Sequence, residues 1–410
     1  MPPVQNTHSR SPGMRALWLL APGQVISWGT LYYGITFLAQ PIQTSTGWSL
    51  PGIFGAYSAG LLLAALCAPL AGQLLARHGG RWGLSLGSVL ASLSLAGLAA
   101  ASGPYTFLLA WLLAGVAMAL TLYEAAFTAL HEFAHTEFRR AMTLLTLVGG
   151  FASTVFWPLS YWLEGLWGWR LTLLGYAALH VLVCLPLHRA LPRVVPAVAA
   201  TEVSPADMPW MQMLRSPAYW GLAVAIGMTA LLGGTLSAHA GLLLADRAVS
   251  PTLIMLSVTL FGPMQVAGRL LDMLLAQRLS VRWSGYVAHL MLPTAMVLLL
   301  LAKQAPWLAV LFACLYGASN GVLTIVRGMA PAELLGSANY GVALGWVSAP
   351  GLFARALAPA MAAYGLAQWG GSATLLGLTC LGVLGWAAFV FAYRARPATA
   401  PLHRVQAKQT

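Results

Sequence analysis

Two arginines, Arg269 and Arg355, stand inside stretches otherwise apolar enough to cross a lipid bilayer. A charge at membrane depth costs roughly 2.5–3.5 kcal/mol on insertion scales, so it faces a bundle interior or a water-filled path and not lipid. Guanidinium presents a rigid fork that matches a carboxylate, and it stays charged at every relevant pH. The two residues therefore predict a site for something negative. The structural alternative, strongest for Arg269, is helix glue: a pairing with Asp272, Glu124 or backbone carbonyls.

Glu124 is the acid placed inside an apolar run, about 12 Å along the helix before Glu132. Burial favours its protonated form and a nearby arginine its charged form, which makes it a candidate proton carrier. A permanent ion pair with Arg269 or Arg327 is the equal alternative. His180, His239 and His289 also lie in apolar runs, where a lone histidine is ordinarily hydrogen-bonded packing. His239, which follows Gly233-Gly234, is the candidate to face a cavity. Tyr32 and Tyr33 are candidates to line it, each offering an apolar face and one hydroxyl.

One pattern carries different chemistry. His131-Glu132-Phe133-Ala134-His135 is a literal H-E-x-x-H, which on a helix sets two imidazoles one turn apart for zinc, with the Glu as base. A zinc site needs a third ligand, and none is evident, since Asp272 lies far along the chain without a ligand cluster. A solvated loop is the simpler reading, and no metal or cofactor is expected. The phosphate-binding G-x-x-x-x-G-K-[ST] is absent, which argues against ATP-driven work by this chain.

These groups need elements to hold them. Of 410 residues, 59% are hydrophobic and 7% charged, against about 25% charged in soluble proteins; mean hydropathy is +0.76. Such a chain belongs in a membrane. Runs of about 20 residues, enough to cross a core of about 30 Å, recur at 16–41, 53–75, 83–101, 105–129, 141–162, 171–187, 219–244, 252–275, 284–302, 307–326, 340–364 and 372–393. All are expected to be helices, because lipid offers no partner for backbone amides and barrel-type alternation is absent.

The net charge of +12 does not point to nucleic acid, because the cations segregate. Arg10, Arg15, Arg77, Arg81, Arg139, Arg140, Arg189, Arg193, Arg215, Arg278, Arg282, Arg394, Arg396, Arg404 and Lys408 fall on one side, with only Arg170, Arg247 and Lys303 in loops of the other. That bias predicts a multi-pass protein of the cell (inner) membrane with both termini cytoplasmic. The first run is full length with no small-residue cleavage pattern after it, so it reads as an uncleaved helix. Cys67, Cys184, Cys314 and Cys380 all sit in apolar runs and read as packing residues.

Residues 188–217 interrupt the rhythm with Pro192, Pro196, Pro205, Pro209 and Pro217, and a short amphipathic piece is expected at 210–214. The expected organisation is an all-α membrane protein of two pseudo-symmetric six-helix bundles, 1–187 and 219–393, joined by a cytoplasmic linker, 188–218, and followed by a tail, 394–410. A shift of 201 residues carries Arg77 onto Arg278, Gly150 onto Gly351 and Pro158 onto Pro359. A duplicated unit explains this; chance in a Gly/Ala/Leu-rich chain is the alternative. Such repeats place a substrate site between the halves near the midplane. The same shift sets Thr154 opposite Arg355 and Ala68 opposite Arg269, so the cations are additions to the second half.

The segment Gly72-Gln-Leu-Leu-Ala-Arg77-His-Gly79-Gly80-Arg81 resembles the second-to-third-span motif of the major facilitator superfamily, Gly-x-Leu-x-Asp-Arg-x-Gly-Arg-Arg/Lys. Gly72, Leu74, Arg77, Gly79 and Arg81 match; Ala76 replaces the acid and Gly80 a base. A weaker copy runs from Gly268-Arg269 to Arg278, with Gln277 at the acidic position. The resemblance implies a twelve-helix, alternating-access secondary transporter and not an enzyme, with Gly72, Arg77, Gly79, Arg81 and Arg278 in a gating motif. It puts in doubt the charge latch that the missing acids would make. Leu214-Arg-Ser-Pro-Ala-Tyr-Trp220, Gly47-Trp-Ser49 and Ala267-Gly-Arg269 are similar to the monocarboxylate-porter and oxalate/formate-antiporter branch. That branch implies a small organic anion, a mono- or dicarboxylate, held by Arg355 and Arg269. Gln265 replaces the porters' acidic partner one turn before the eighth-span arginine, and Glu124 is left as the proton-coupling candidate. The expected partners are the substrate and the bilayer, with the chain a monomer. The alternatives are a multidrug or metabolite exporter of the same fold, in which Glu124 matters most, and, more distantly, an intramembrane zinc peptidase.

Overall fold

The computed structural model describes residues 11–134, 137–193, 210–336 and 340–395. Among them nine helical stretches are long and apolar enough to cross a membrane. Two of these, 138–189 and 340–394, hold two crossings each, because each is broken at a glycine with positive φ: Gly168 at 73° and Gly370 at 75°. The chain folds back at both, so the Phe156 ring packs 5.7 Å from Tyr176 and Gly365 lies against Thr374. The first crossing is assembled from Pro12–Ser27, Trp28–Tyr33 and Ile35–Thr46 and completes twelve.

The second to fourth crossings are Leu50–His78, Gly80–Ala100, and Pro104–Thr121 continued by Tyr123–Ala134. The fifth begins at Phe138–Gly149 and resumes at Ala152. The seventh to tenth are Pro217–Asp246, Pro251–Leu275, Val281–Leu301 and Leu308–Leu335. The eleventh and twelfth share Tyr340–Arg394.

The duplication is visible in how the helices start. Ser49 accepts the amide of Gly52, and Ser250 accepts that of Leu253, each satisfying a free helix-end donor beside a first-turn proline. These caps stand 201 residues apart. So do the turns just before them, where Gly47 and Ala248 take φ of 73° and 57°.

Two crossings are broken where periodicity gave no sign. Residues Trp28–Tyr33 form a π-helical turn in the first. Leu122 turns extended, with ψ of −169°, and divides the fourth. The carbonyl freed at that break, Thr121 O, is met at 2.7 Å by the buried Gln24 amide of the first crossing. Irregular backbone at membrane depth needs such protein partners, because lipid supplies none.

The sixth crossing also runs further than the expected boundary at 187. Its helix continues through Leu185–Arg189, and His188 is buried with Nδ1 2.8 Å from Ser88 Oγ. The expected amphipathic piece is a helix, Trp210–Arg215. The remainder of the linker at 194–209, His135 of the H-E-x-x-H pattern, and the tail from 396 lie outside the described residues.

The halves touch chiefly at the end that carries the helix termini nearest the linker. There the second and eleventh crossings approach backbone to backbone, Gly72 against Gly341 and Gly345 against Ala68. Small residues permit that distance where no hydrophobic force drives helices together.

Candidate functional site

Between the halves lies a cavity of about 300 Å³. The first half contributes Trp28, Tyr32, Tyr33 and Tyr123 together with the fifth-crossing kink at Gly149 and Gly150. The second contributes Arg269, Arg327 and Arg355 with Phe261, Gln265, Tyr316 and Asn320. No aspartate or glutamate is among its lining residues.

The π turn explains the aromatic wall. In a helix closed by i→i+5 bonds, residues four and five positions on flank the one below. Tyr32 and Tyr33 thereby both lie beside Trp28, with ring centroids at 5.1 and 6.2 Å. An α-helical turn would carry the fifth residue to another face.

The three guanidinium groups differ in what they already hold. Arg269 is buried and donates from Nη1 to Thr146 O at 2.8 Å, across the divide between halves. That carbonyl lies where the fifth crossing kinks, at the negative end of a helix dipole; Arg269 Nε has no acceptor. Arg327 Nη1 lies 3.4 Å from Glu124 Oε1, again across the halves. Arg355 is half-buried and makes no ion pair or hydrogen bond among the described residues.

Of the expected site residues, then, the structure gathers Arg355, Arg269, Tyr32 and Tyr33 on one cavity. Glu124 sits just outside it, in the first turn of the half-helix after the Leu122 break. It lines a smaller, mostly apolar annex of about 40 Å³ that also touches Arg355, Trp28 and Tyr32. His239 stands apart: its Nε2 donates to Pro359 O at 2.9 Å, tying the seventh crossing to the eleventh, and it does not line the cavity. His289 packs flat on Phe389 with centroids 4.3 Å apart, and His180 bonds Thr30, as packing histidines do.

Several lining residues escaped the sequence reading as site residues, among them Trp28, Tyr316 and Arg327. Arg327 had a usable signal, a third cation at the edge of an apolar run. The two aromatics had none, since Trp and Tyr recur along most crossings.

Around the expected gating motif, Gly72 forms the close helix contact already described, and Gly79 takes φ of 81° at the turn. Arg81 donates to Leu191 O at 3.3 Å. Arg77 and Arg278 are exposed. Glu132 accepts the Gly80 amide at 2.7 Å and caps the third crossing. This use of Glu132, with His131 stacked 4.4 Å from the Tyr340 ring, accounts for two residues of the H-E-x-x-H pattern without a metal. Asp272, the other acid considered for Arg269, is taken by Arg139, whose Nη2 lies 2.7 Å from Oδ1.

The family model described as Major Facilitator Superfamily matches residues 20–246. No curated protein matches the chain in sequence. Among solved structures, the human organic anion transporter MFSD10 (TETRAN) superposes with a TM-score of 0.70 at 18% identity, over 93% of this chain and 100% of that one. The proton:xylose symporter XylE, bound to 6-bromo-6-deoxy-D-glucose, gives 0.73 at 14% identity, over 94% and 96%. At such identities the likeness concerns the fold. Together with a family match over more than half its length, that twelve-helix fold makes the chain a member of the major facilitator superfamily, whose proteins are multi-pass membrane transporters of small molecules and not enzymes.

Proposed function

We propose that this transporter is a secondary carrier of a small organic anion, a mono- or dicarboxylate, moved by alternating access. The observation that carries the reading is the charge of the cavity: three guanidinium groups line it and no carboxylate does. Solved relatives of the same fold are described as carrying an organic anion in one case and xylose with a proton in another, so the fold accommodates either cargo. A cation without a partner at membrane depth favours the anion.

Arg355 is the capture residue, since nothing in the protein occupies its fork. Arg269 is a second contact, available when it releases Thr146 O. Glu124 is the proton carrier, paired with Arg327 and lining the annex that Arg355 also touches. The end closed by the halves is the cytoplasmic end of a protein in the inner cell membrane, following the excess of arginine there.

The test is uptake of radiolabelled carboxylates into liposomes holding the purified protein. Arg355→Gln is expected to lower uptake by about tenfold or more, the scale of a lost charge-assisted hydrogen bond. Glu124→Gln is expected to abolish the dependence on a pH gradient while exchange between labelled and unlabelled anion persists. Anion uptake untouched by Arg355→Gln ends the reading, and a dominant loss in Glu124→Gln with neutral or cationic cargo favours an exporter.

A further inference from the structure

The cavity's charges and its rings divide the work of recognition, and together they narrow the cargo. Two of the three arginines are committed within the protein, Arg269 to Thr146 O and Arg327 to Glu124. One guanidinium, Arg355, remains uncommitted among the described residues, which suits one carboxylate better than two.

The rest of the wall is aromatic. Trp28 lies 4.9 Å from Tyr123 and 5.1 Å from Tyr32; Tyr32 lies 5.0 Å from Tyr33; across the space Phe261 lies 4.7 Å from Tyr316. The rings meet mostly edge to face or tilted, the arrangement in which aromatic quadrupoles attract, and a flat aromatic body can join the cluster in the same way. The hydroxyls of Tyr32, Tyr33 and Tyr316 make no hydrogen bond among the described residues, and Trp28 Nε1 has no acceptor. The annex beside Arg355 extends the apolar surface with Leu61, Met118 and Leu352. A compact hydrophilic dianion would leave this surface dry and unused.

Building on the anion reading above, we infer that the cargo is an aromatic monocarboxylate, its carboxylate on Arg355 and its ring against Trp28, Tyr32 and Tyr33. The π turn at 28–33 is the device that brings those three rings to one face.

The test is ligand titration of the purified full chain in nanodiscs, read by thermal shift. The probes are benzoate, phenylacetate and 1-naphthoate, against cyclohexanecarboxylate, succinate and benzamide. The best aryl acid is expected to bind about fivefold to tenfold more tightly than cyclohexanecarboxylate, the scale of a favourable ring pair. Tyr33→Leu should erase most of that margin and Tyr33→Phe should keep it, while Arg355→Gln should weaken every carboxylate alike. Succinate or cyclohexanecarboxylate binding as well as the best aryl acid, with Arg355→Gln still harmful, overturns the aromatic class and leaves the anion reading standing. Benzamide matching benzoate, with Arg355→Gln harmless, overturns both. No shift with any aryl acid also overturns the inference.

Discussion

The two contacts that seal the cavity at its terminus-bearing end occupy equivalent places in the duplicated fold and use different chemistry. Where the fifth crossing meets the eighth, Arg139 grips Asp272 with two nitrogens, Nη2 at 2.7 Å and Nε at 3.3 Å. The same side chain reaches Leu279 O at 2.7 Å and Ser284 Oγ at 2.9 Å. Where the eleventh meets the second, Gly341 lies on Gly72, and Tyr340 fills the space with its ring stacked on His131 and edge-on to Phe138. Arg139 and Tyr340 stand 201 residues apart, as do Ala71 and Asp272. One seal is a charge pair with hydrogen bonds, the other a backbone approach closed by an aromatic plug. The first is specific in orientation and gives way once water reaches it; the second sets how near the helices come and yields only if a helix moves. On the alternating-access reading proposed above, a gate that opens in each cycle thus combines a separable lock with a rigid stop.

Cutting the lock is expected to have the largest effect. The Asp272 side chain is 3% exposed, so Arg139→Ala strands a charge in the closed state. Removing one member of a buried pair costs about 3–5 kcal/mol. The population should move to the form open at the terminus side, read as faster thiol labelling of a Thr128→Cys reporter, since Thr128 is covered by Gly341 in the closed form. The double variant Arg139→Ala/Asp272→Ala should recover a good part of the closed population, because no charge is then stranded. A double variant as open as the single one shows that the pair works through packing instead.

Filling the stop comes second. A Cβ on Gly72 would collide with the Gly341 carbonyl, which is backbone and cannot rotate away. Gly72→Ala is therefore expected to cost the closed state roughly 1–3 kcal/mol, the usual range for overpacking. Unlike the lock, this seal should not respond to ionic strength. Salt screens the buried pair little but eases its separated charges in the open form, so labelling at Thr128→Cys should rise modestly in the parent and the Gly72→Ala increment should stay unchanged. A salt-dependent increment would mean that the two seals are not separate.

How much of this was legible beforehand depended on whether a feature was local. Span positions and the duplication follow from run length and a fixed offset, both of which a single strand of sequence carries. The caps at Ser49 and Ser250 obey the same offset. Breaks in the first and fourth crossings were not legible; at the fourth, the freed Thr121 carbonyl finds its donor in Gln24, nearly a hundred residues away. The site divides in the same way. Arg355, Tyr32 and Tyr33 announce themselves by type and depth. Arg269 does too, but whether Asp272, Glu124 or a carbonyl faces it is a question about the other half, and the answer was Thr146 O. His239 followed a glycine pair that suggested open space, yet a nearby carbonyl at Pro359 claimed it. Glu132, expected in a solvated loop, is helical and caps the next crossing; Glu333, 201 residues on, was the available hint that this acid belongs to the repeat.

The smallest test separates the plug's shape from its hydrogen bond. Tyr340 donates its hydroxyl to Gly328 O at 2.7 Å, joining the eleventh crossing to the tenth within the second half. Its ring, by contrast, contacts His131 and Phe138 of the first half. Tyr340→Phe keeps the ring and loses the bond, at a cost of about 0.5–1.5 kcal/mol. Because the lost bond lies within one half, that cost should fall on the stability of the second bundle in both open and closed forms. Thermal stability should drop while labelling of Thr128→Cys stays at the parent level. If labelling rises instead, the hydroxyl is positioning the ring across the divide, and the stop depends on the same kind of polar anchoring as the lock.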